Sequence, residues 1–162
     1  MTVFVILFVV AAIVLIRSTV VLKPDERAVV YRLGRPVTVI GPGLAVITPF
    51  VDRLTRVSMS EQELQLPEVK LSTRDQLSST VSARVRYRIL DPLRSLTEVQ
   101  DLRTALEGVV TSTLRAIAGE VDYDHLISSS ADVADATISR ADEVVEKWGA
   151  KILSVEIERQ RF

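Results

Sequence analysis

Cysteine is absent from this 162-residue chain, which excludes disulfides and thiolate metal sites and leaves the redox compartment unmarked. Histidine occurs once, as His125 in Asp122-Tyr123-Asp124-His125. One imidazole beside two carboxylates lacks the further ligands that a zinc or facial-triad site requires, so this stretch reads as a polar turn ahead of a capped helix. Excess charge of either sign is missing as well. Twenty Lys and Arg face twenty-one Asp and Glu, a net charge of −1, which removes the electrostatic argument for nucleic acid. Glycine is sparse, and Gly41 and Gly43 do not extend into a dinucleotide fingerprint or a P-loop. Ser128, Ser129 and Ser130 have no nucleophile elbow around them, and the only histidine lies three residues from Ser128; capping is their ordinary use. No catalytic residue, cofactor or metal is expected.

Charge is missing altogether from the first sixteen residues, MTVFVILFVVAAIVLI, in which Thr2 is the only polar side chain. From Val3 to Ile16 a helix reaches about 21 Å, and continuing through Val20, Val21 and Leu22, with Arg17 snorkelling outward, extends it to a spanning length of about 30 Å. Residues 1–22 therefore read as one N-terminal transmembrane anchor, with Val3, Phe4, Leu7, Phe8, Ile13, Leu15 and Ile16 in the lipid. A cleaved signal peptide fits poorly, because no Lys or Arg precedes the run and no small-x-small site follows it. A buried core helix fits poorly too, since the run has no polar face and the rest of the chain is too short to enclose it. Behind the run come Arg17, Lys23, Arg27, Arg32 and Arg35, which by the positive-inside rule puts the globular part in the cytoplasm.

Mean hydropathy is +0.27, but the apolar excess sits in the N-terminal run, and residues 23–162 have the composition of one water-soluble domain. Arg27 to Leu33 is rich in β-formers and stops at Gly34. Gly41-Pro42-Gly43 then breaks the chain before Leu44-Ala45-Val46-Ile47, and Pro49-Phe50 breaks it again. That segment reads as a rigid hairpin or loop with exposed apolar residues. Its closeness to the anchor makes Gly41, Pro42, Gly43, Leu44, Ile47, Pro49 and Phe50 a candidate loop for the lipid interface. From Val81 to Ile89 apolar residues alternate with Ser82, Arg84, Arg86 and Arg88, a strand with one buried and one basic face. The basic face reads first as solvated or paired internally, with a subunit contact or anionic lipid as the alternatives.

The period then changes. Val99, Leu102, Leu106, Val109, Val110, Thr113, Leu114 and Ile117 predict an amphipathic helix ending at Gly119. A second helix follows, with Ser129 and Asp132 spaced as a capping box and a buried stripe of Ala134, Ile138, Ala141, Val145 and Trp148 before Gly149. Leu153, Val155 and Ile157 mark a closing strand. The order predicts an α+β domain, a largely antiparallel sheet with amphipathic helices packed on one face.

Four blocks carry a family resemblance: Glu26 to Arg35; Gly41-Pro42-Gly43-Leu44 with Pro49-Phe50 and Asp52-Arg53; Thr73-Arg74-Asp75 leading to Tyr87-Arg88-Ile89; and Trp148 to Ile152 with Val155-Glu156-Ile157. In order and spacing they resemble the stomatin branch of the SPFH, or Band 7, proteins, with Ala150 and Glu158 as departures. The resemblance implies a non-enzymatic, membrane-anchored scaffold that self-associates laterally as a homo-oligomer, organises a membrane patch, and binds client proteases or channels. A membrane-bound hydrolase or its accessory subunit, and a monomeric tethered binding module, are the competing classes. Relatives continue into a long Ala/Glu-rich helix; this sequence stops at Phe162, so it is expected to be a truncated region or a minimal member with weaker assembly.

Overall fold

The computed structural model describes Ile6, Phe8, residues 18–48 and residues 51–159. The chain divides into two compact units, Met1–Ser60 and Glu61–Phe162.

In the first unit, β1 (Thr19–Leu22) pairs antiparallel with β4 (Gly43–Val46), Thr19 opposite Val46 and Leu22 opposite Gly43. This corrects the sequence reading, which carried the N-terminal helix through Leu22. Ser18 is helical, but at Thr19 the chain turns to strand. Thr19, Val20 and Val21 are β-branched, and the ladder to β4 rewards the extended form that such side chains favour. A three-stranded antiparallel sheet is built from β2 (Glu26–Arg32) between β3 (Arg35–Ile40) and β5 (Asp52–Ser58). Being central, β2 buries Ala28, Val29 and Val30. Leu33 and Gly34 form the β2–β3 turn with φ +52° and +82°. A two-residue hairpin turn of this kind needs positive φ twice; Gly34 adopts it freely, whereas Leu33 pays steric strain.

The second unit holds another three-stranded antiparallel sheet, with β7 (Ser78–Ile89) between β6 (Glu61–Ser72) and β8 (Ala150–Arg159). The alternation expected around Val81 to Ile89 is present: Val81, Ala83, Val85, Tyr87 and Ile89 are buried. On β6, Leu64 and Leu66 face the core, and so do Val69 and Leu71. A bulge between Leu66 and Val69 absorbs Pro67 and Glu68 and resets the phase of alternation.

Among the described residues, four helices lie between β7 and β8: α1 (Pro92–Thr97), α2 (Leu102–Glu120), α3 (Tyr123–Ser128) and α4 (Ser130–Val145). Asp91 caps α1 by accepting from the N–H of Leu93 and Arg94. Asp101 caps α2 by accepting from Arg103 N–H, so this helix begins three residues after Val99. Helix α2 buries Leu106, Val110, Leu114 and Ile117 and lies on β6 and against α4, while α4 packs on β8. The expected capping box is not made: Ser129 stands at the N-cap of α4 without a side-chain bond. The buried stripe of α4 is Val133, Ala134, Thr137, Ala141 and Val145, with Ile138 and Trp148 only half-buried. Thr137 is tolerated there because its hydroxyl donates to Val133 O at 2.7 Å. The fold is α+β, as expected, with three small antiparallel sheets in place of one.

Candidate functional site

One end of the first unit is assembled from three segments that are distant in sequence. Where the N-terminal run enters, Ser18 O accepts from Ile47 N at 2.8 Å. Next to Ile47, Thr48 N donates to Asp52 Oδ2 at 2.9 Å, and Asp52 N returns to Thr48 O at 3.1 Å. Asp52 in turn takes a bidentate bond from Arg32, at 2.7 Å from Nε and 3.0 Å from Nη2. Arg32 immediately precedes the Leu33-Gly34 turn. This chain of bonds ties Ser18, Ile47 and Thr48, Asp52 and the β2–β3 hairpin tip to the same end.

That end also presents large apolar side chains to solvent. Leu33 is 87% exposed and Val46 77%, and Val51 is exposed beside them. Along the β1–β4 pair, Val21 and Leu44 stand opposite one another on the same face as Thr19 and Val46, and both are exposed. The opposite face, with Leu22 and Ala45, is buried.

Asp52 is the fastening point. Its side chain is 3% exposed, and the Arg32 guanidinium, helped by Thr48 N–H, holds its carboxyl at about 2 against an ordinary 3.8. A lowered folded-state pKa means that the carboxylate stabilises the fold above the ordinary carboxylate range and that this contribution is lost as pH falls from about 4 to about 2. Asp52→Asn should therefore lower the urea midpoint at pH 7, and the gap to the parent should close between pH 4 and pH 2. A gap unchanged down to pH 2 would show that the Arg32 pairing contributes nothing.

The candidate interface loop is split by the structure. Gly41 and Pro42 are exposed, and Gly43 opens β4 at the end away from Ser18, roughly 10 Å along the strand from Val46. Leu44 is exposed, as expected, and Ile47 is half-buried at the Ser18 end. Pro49 and Phe50 lie outside the described residues. So do Val3, Phe4, Leu7, Ile13, Leu15 and Ile16 of the anchor; Phe8 is helical and exposed. Among the described residues no helix is long and apolar enough to cross a membrane. Val51, the last residue of the apolar loop Leu44 to Val51 that the sequence suggested for the lipid interface, is exposed, whereas Leu33 was missed by sequence reasoning. The available signal was a leucine directly before Gly34 at the end of a strand, where a turn favours Asn or Asp.

In the second unit, Arg84 on the basic face of β7 lies within salt-bridge reach of Glu63, Glu156 and Glu158 on the neighbouring strands, at 3.0, 3.9 and 3.5 Å. Arg86 Nε donates to Ser154 Oγ at 2.9 Å. Internal pairing thus accounts for much of that face. The Asp122–His125 stretch is helical from Tyr123, and Asp122 is held bidentate by Arg74 while His125 is exposed. Among the described residues no three His, Asp or Glu converge as a metal group would require.

These features define a class: an α+β fold of antiparallel sheets and packed helices, preceded in sequence by an uncharged run and displaying exposed apolar side chains near Ser18. The chain belongs to the SPFH domain / Band 7 family, which matches residues 20–162. Among its relatives are a stomatin homolog of Pyrococcus horikoshii, 34% identical over 155 residues, covering 95% of this chain and 56% of that protein. Stomatin-like protein 3 of Mus musculus is 30% identical over 144 residues, covering 88% of this chain and 50% of its own. An uncharacterized protein of Archaeoglobus fulgidus is 32% identical over 151 residues, covering 93% and 61%. These matches support the stomatin branch. The chain spans about half to three-fifths of the length of these relatives.

Proposed function

We propose that the protein is a non-enzymatic, membrane-anchored scaffold that self-associates laterally and holds client membrane proteins such as proteases or channels. The observation that carries this reading is the bond from Ile47 N to Ser18 O, two residues after the uncharged run ends in sequence, at the end of the first unit that displays Leu33, Val46 and Val51. An end so placed faces the bilayer that the run enters, and its exposed apolar side chains gain from the interfacial zone what they lose in water. A single-pass anchor confines copies to a plane and raises their effective concentration, so weak lateral contacts suffice for assembly. The stomatin branch supports the scaffold reading, and the basic residues following the run support a cytoplasmic domain.

The test is made on the full chain in native membranes. It should resist alkaline carbonate extraction and crosslink into species larger than one chain, which persist in mild detergent. Deleting residues 1–17 should release it; the cut stops there because Thr19–Leu22 hold β4. A carbonate-soluble full chain would sink the anchor, and a monomer under dense crosslinking would replace the scaffold with a tethered binding module.

A further inference from the structure

Basic charge is concentrated in the first unit. Residues 18–60 contain six Lys and Arg against three Asp and Glu, whereas residues 61–162 contain thirteen against eighteen. At the Ser18 end the imbalance is sharper. Asp52 is the only acidic residue in the three segments, and Arg32 already occupies it. Arg35 and Arg53 are exposed and have no acidic partner among the described residues.

Register places these two cations around the hairpin tip. Arg35 stands opposite Arg32, on the face shared with Asp52, while Arg53 stands opposite Tyr31 on the other face. Between Arg53 and the tip lies an open recess of about 390 Å³ lined by Tyr31, Leu33, Gly34, Val51 and Arg53. Its lining is mixed, with the guanidinium of Arg53 and the phenol of Tyr31 beside the apolar Val51 and the strained Leu33. Strain retained at an exposed leucine points to a use for that side chain outside the fold.

Resting on the membrane reading above, we propose that the hairpin tip is a binding site for anionic phospholipid headgroups: Arg53 takes a headgroup phosphate at the recess, Arg35 on the other face takes a second headgroup beside the tip, and Leu33 with Val51 meets the acyl-chain boundary. A guanidinium presents paired donors to phosphate oxygens, and its weak hydration suits the interface. Buried apolar area adds to the electrostatic attraction of an anionic leaflet, so neither part need act alone. Zwitterionic phosphatidylcholine, whose phosphate is offset by its own quaternary ammonium, would satisfy Leu33 and answer the arginines only weakly.

Because the chain has no cysteine, Leu33→Cys provides one position for an environment-sensitive apolar label. The full chain is reconstituted into vesicles of phosphatidylcholine, with or without phosphatidylglycerol, and the label is quenched by a nitroxide-bearing lipid. Quenching should be stronger with phosphatidylglycerol, and raised salt should erase the difference. Arg35→Gln with Arg53→Gln should remove the preference, at about fivefold in tip occupancy per arginine, while Arg35→Lys with Arg53→Lys retains most of it. Chain that floats with the vesicles but is quenched equally with and without phosphatidylglycerol would overturn the headgroup site and leave the membrane reading standing. Chain that fails to float would overturn both.

Discussion

Gly149→Ala should cost the second unit about 2–5 kcal/mol, the combined range for left-handed backbone strain and an overpacked contact. Gly149 has φ +71°, and an added Cβ would lie 2.6 Å from Asp91 O and 2.8 Å from Asp91 Cβ. Neither atom can move cheaply. Asp91 N and Leu90 N both donate to Gly149 O, at 2.9 and 2.8 Å, and the Asp91 carboxylate caps α1. The glycine therefore clamps the end of β7 and the start of α1 to the corner where α4 gives way to β8. Gly34→Ala is the matching control. It also has positive φ, +82°, but an added Cβ would meet nothing within 4 Å, so only strain of about 1 kcal/mol remains. Urea midpoints of the two variants, read with unchanged slopes, check the difference. Equal losses would mean that the Asp91 contact relaxes and that backbone conformation alone sets the cost.

How far the fold could be read in advance depended on whether one period survived along an element. Strand β7 keeps strict alternation through Ile89 and could be read residue by residue. Strand β6, of equal length, could not. Its apolar positions change parity across Pro67-Glu68, and a window spanning both halves sees no period until the bulge is known. Helix α4 was recognisable, but its stripe was displaced. A polar residue at Thr137 is read as exposed unless its bond to Val133 O is seen, which pushed the inferred face toward Ile138 and Trp148.

The candidate site was less legible, for a different reason. Ser18, Leu33 and Val51 are joined by bonds through Ile47, Thr48, Asp52 and Arg32, and no local pattern records such a closure. The sequence did disclose exposed apolar residues after Gly43. It assigned the glycine–proline break to the same edge, and a four-residue strand separates them. Likewise, the basic stripe of β7 drew notice as a binding face, while acidic partners on β6 and β8 occupy Arg84. Arg35 and Arg53 look no different in sequence, and only the register shows them without such partners.

The largest core effect is expected at Leu114→Ala, and Trp148→Ala should fall well short of it. Leu114 is fully buried at the centre of the α2 stripe, between Val110 and Ile117, where α2 lies on β6 and against α4. Removing its side chain leaves a cavity bounded by elements fixed at both ends, and a loss of about 3–5 kcal/mol follows. As the last residue of a predicted stripe, Trp148 would merit a similar figure. The structure instead puts it in the 3₁₀ turn Glu146–Trp148, half-buried, so only part of its apolar area leaves water and about 1–2 kcal/mol is expected. Denaturant titration of the two single variants ranks them. If Trp148→Ala proved the costlier change, the corner before Gly149, rather than the α2–β6 layer, would be the mechanical centre of the unit.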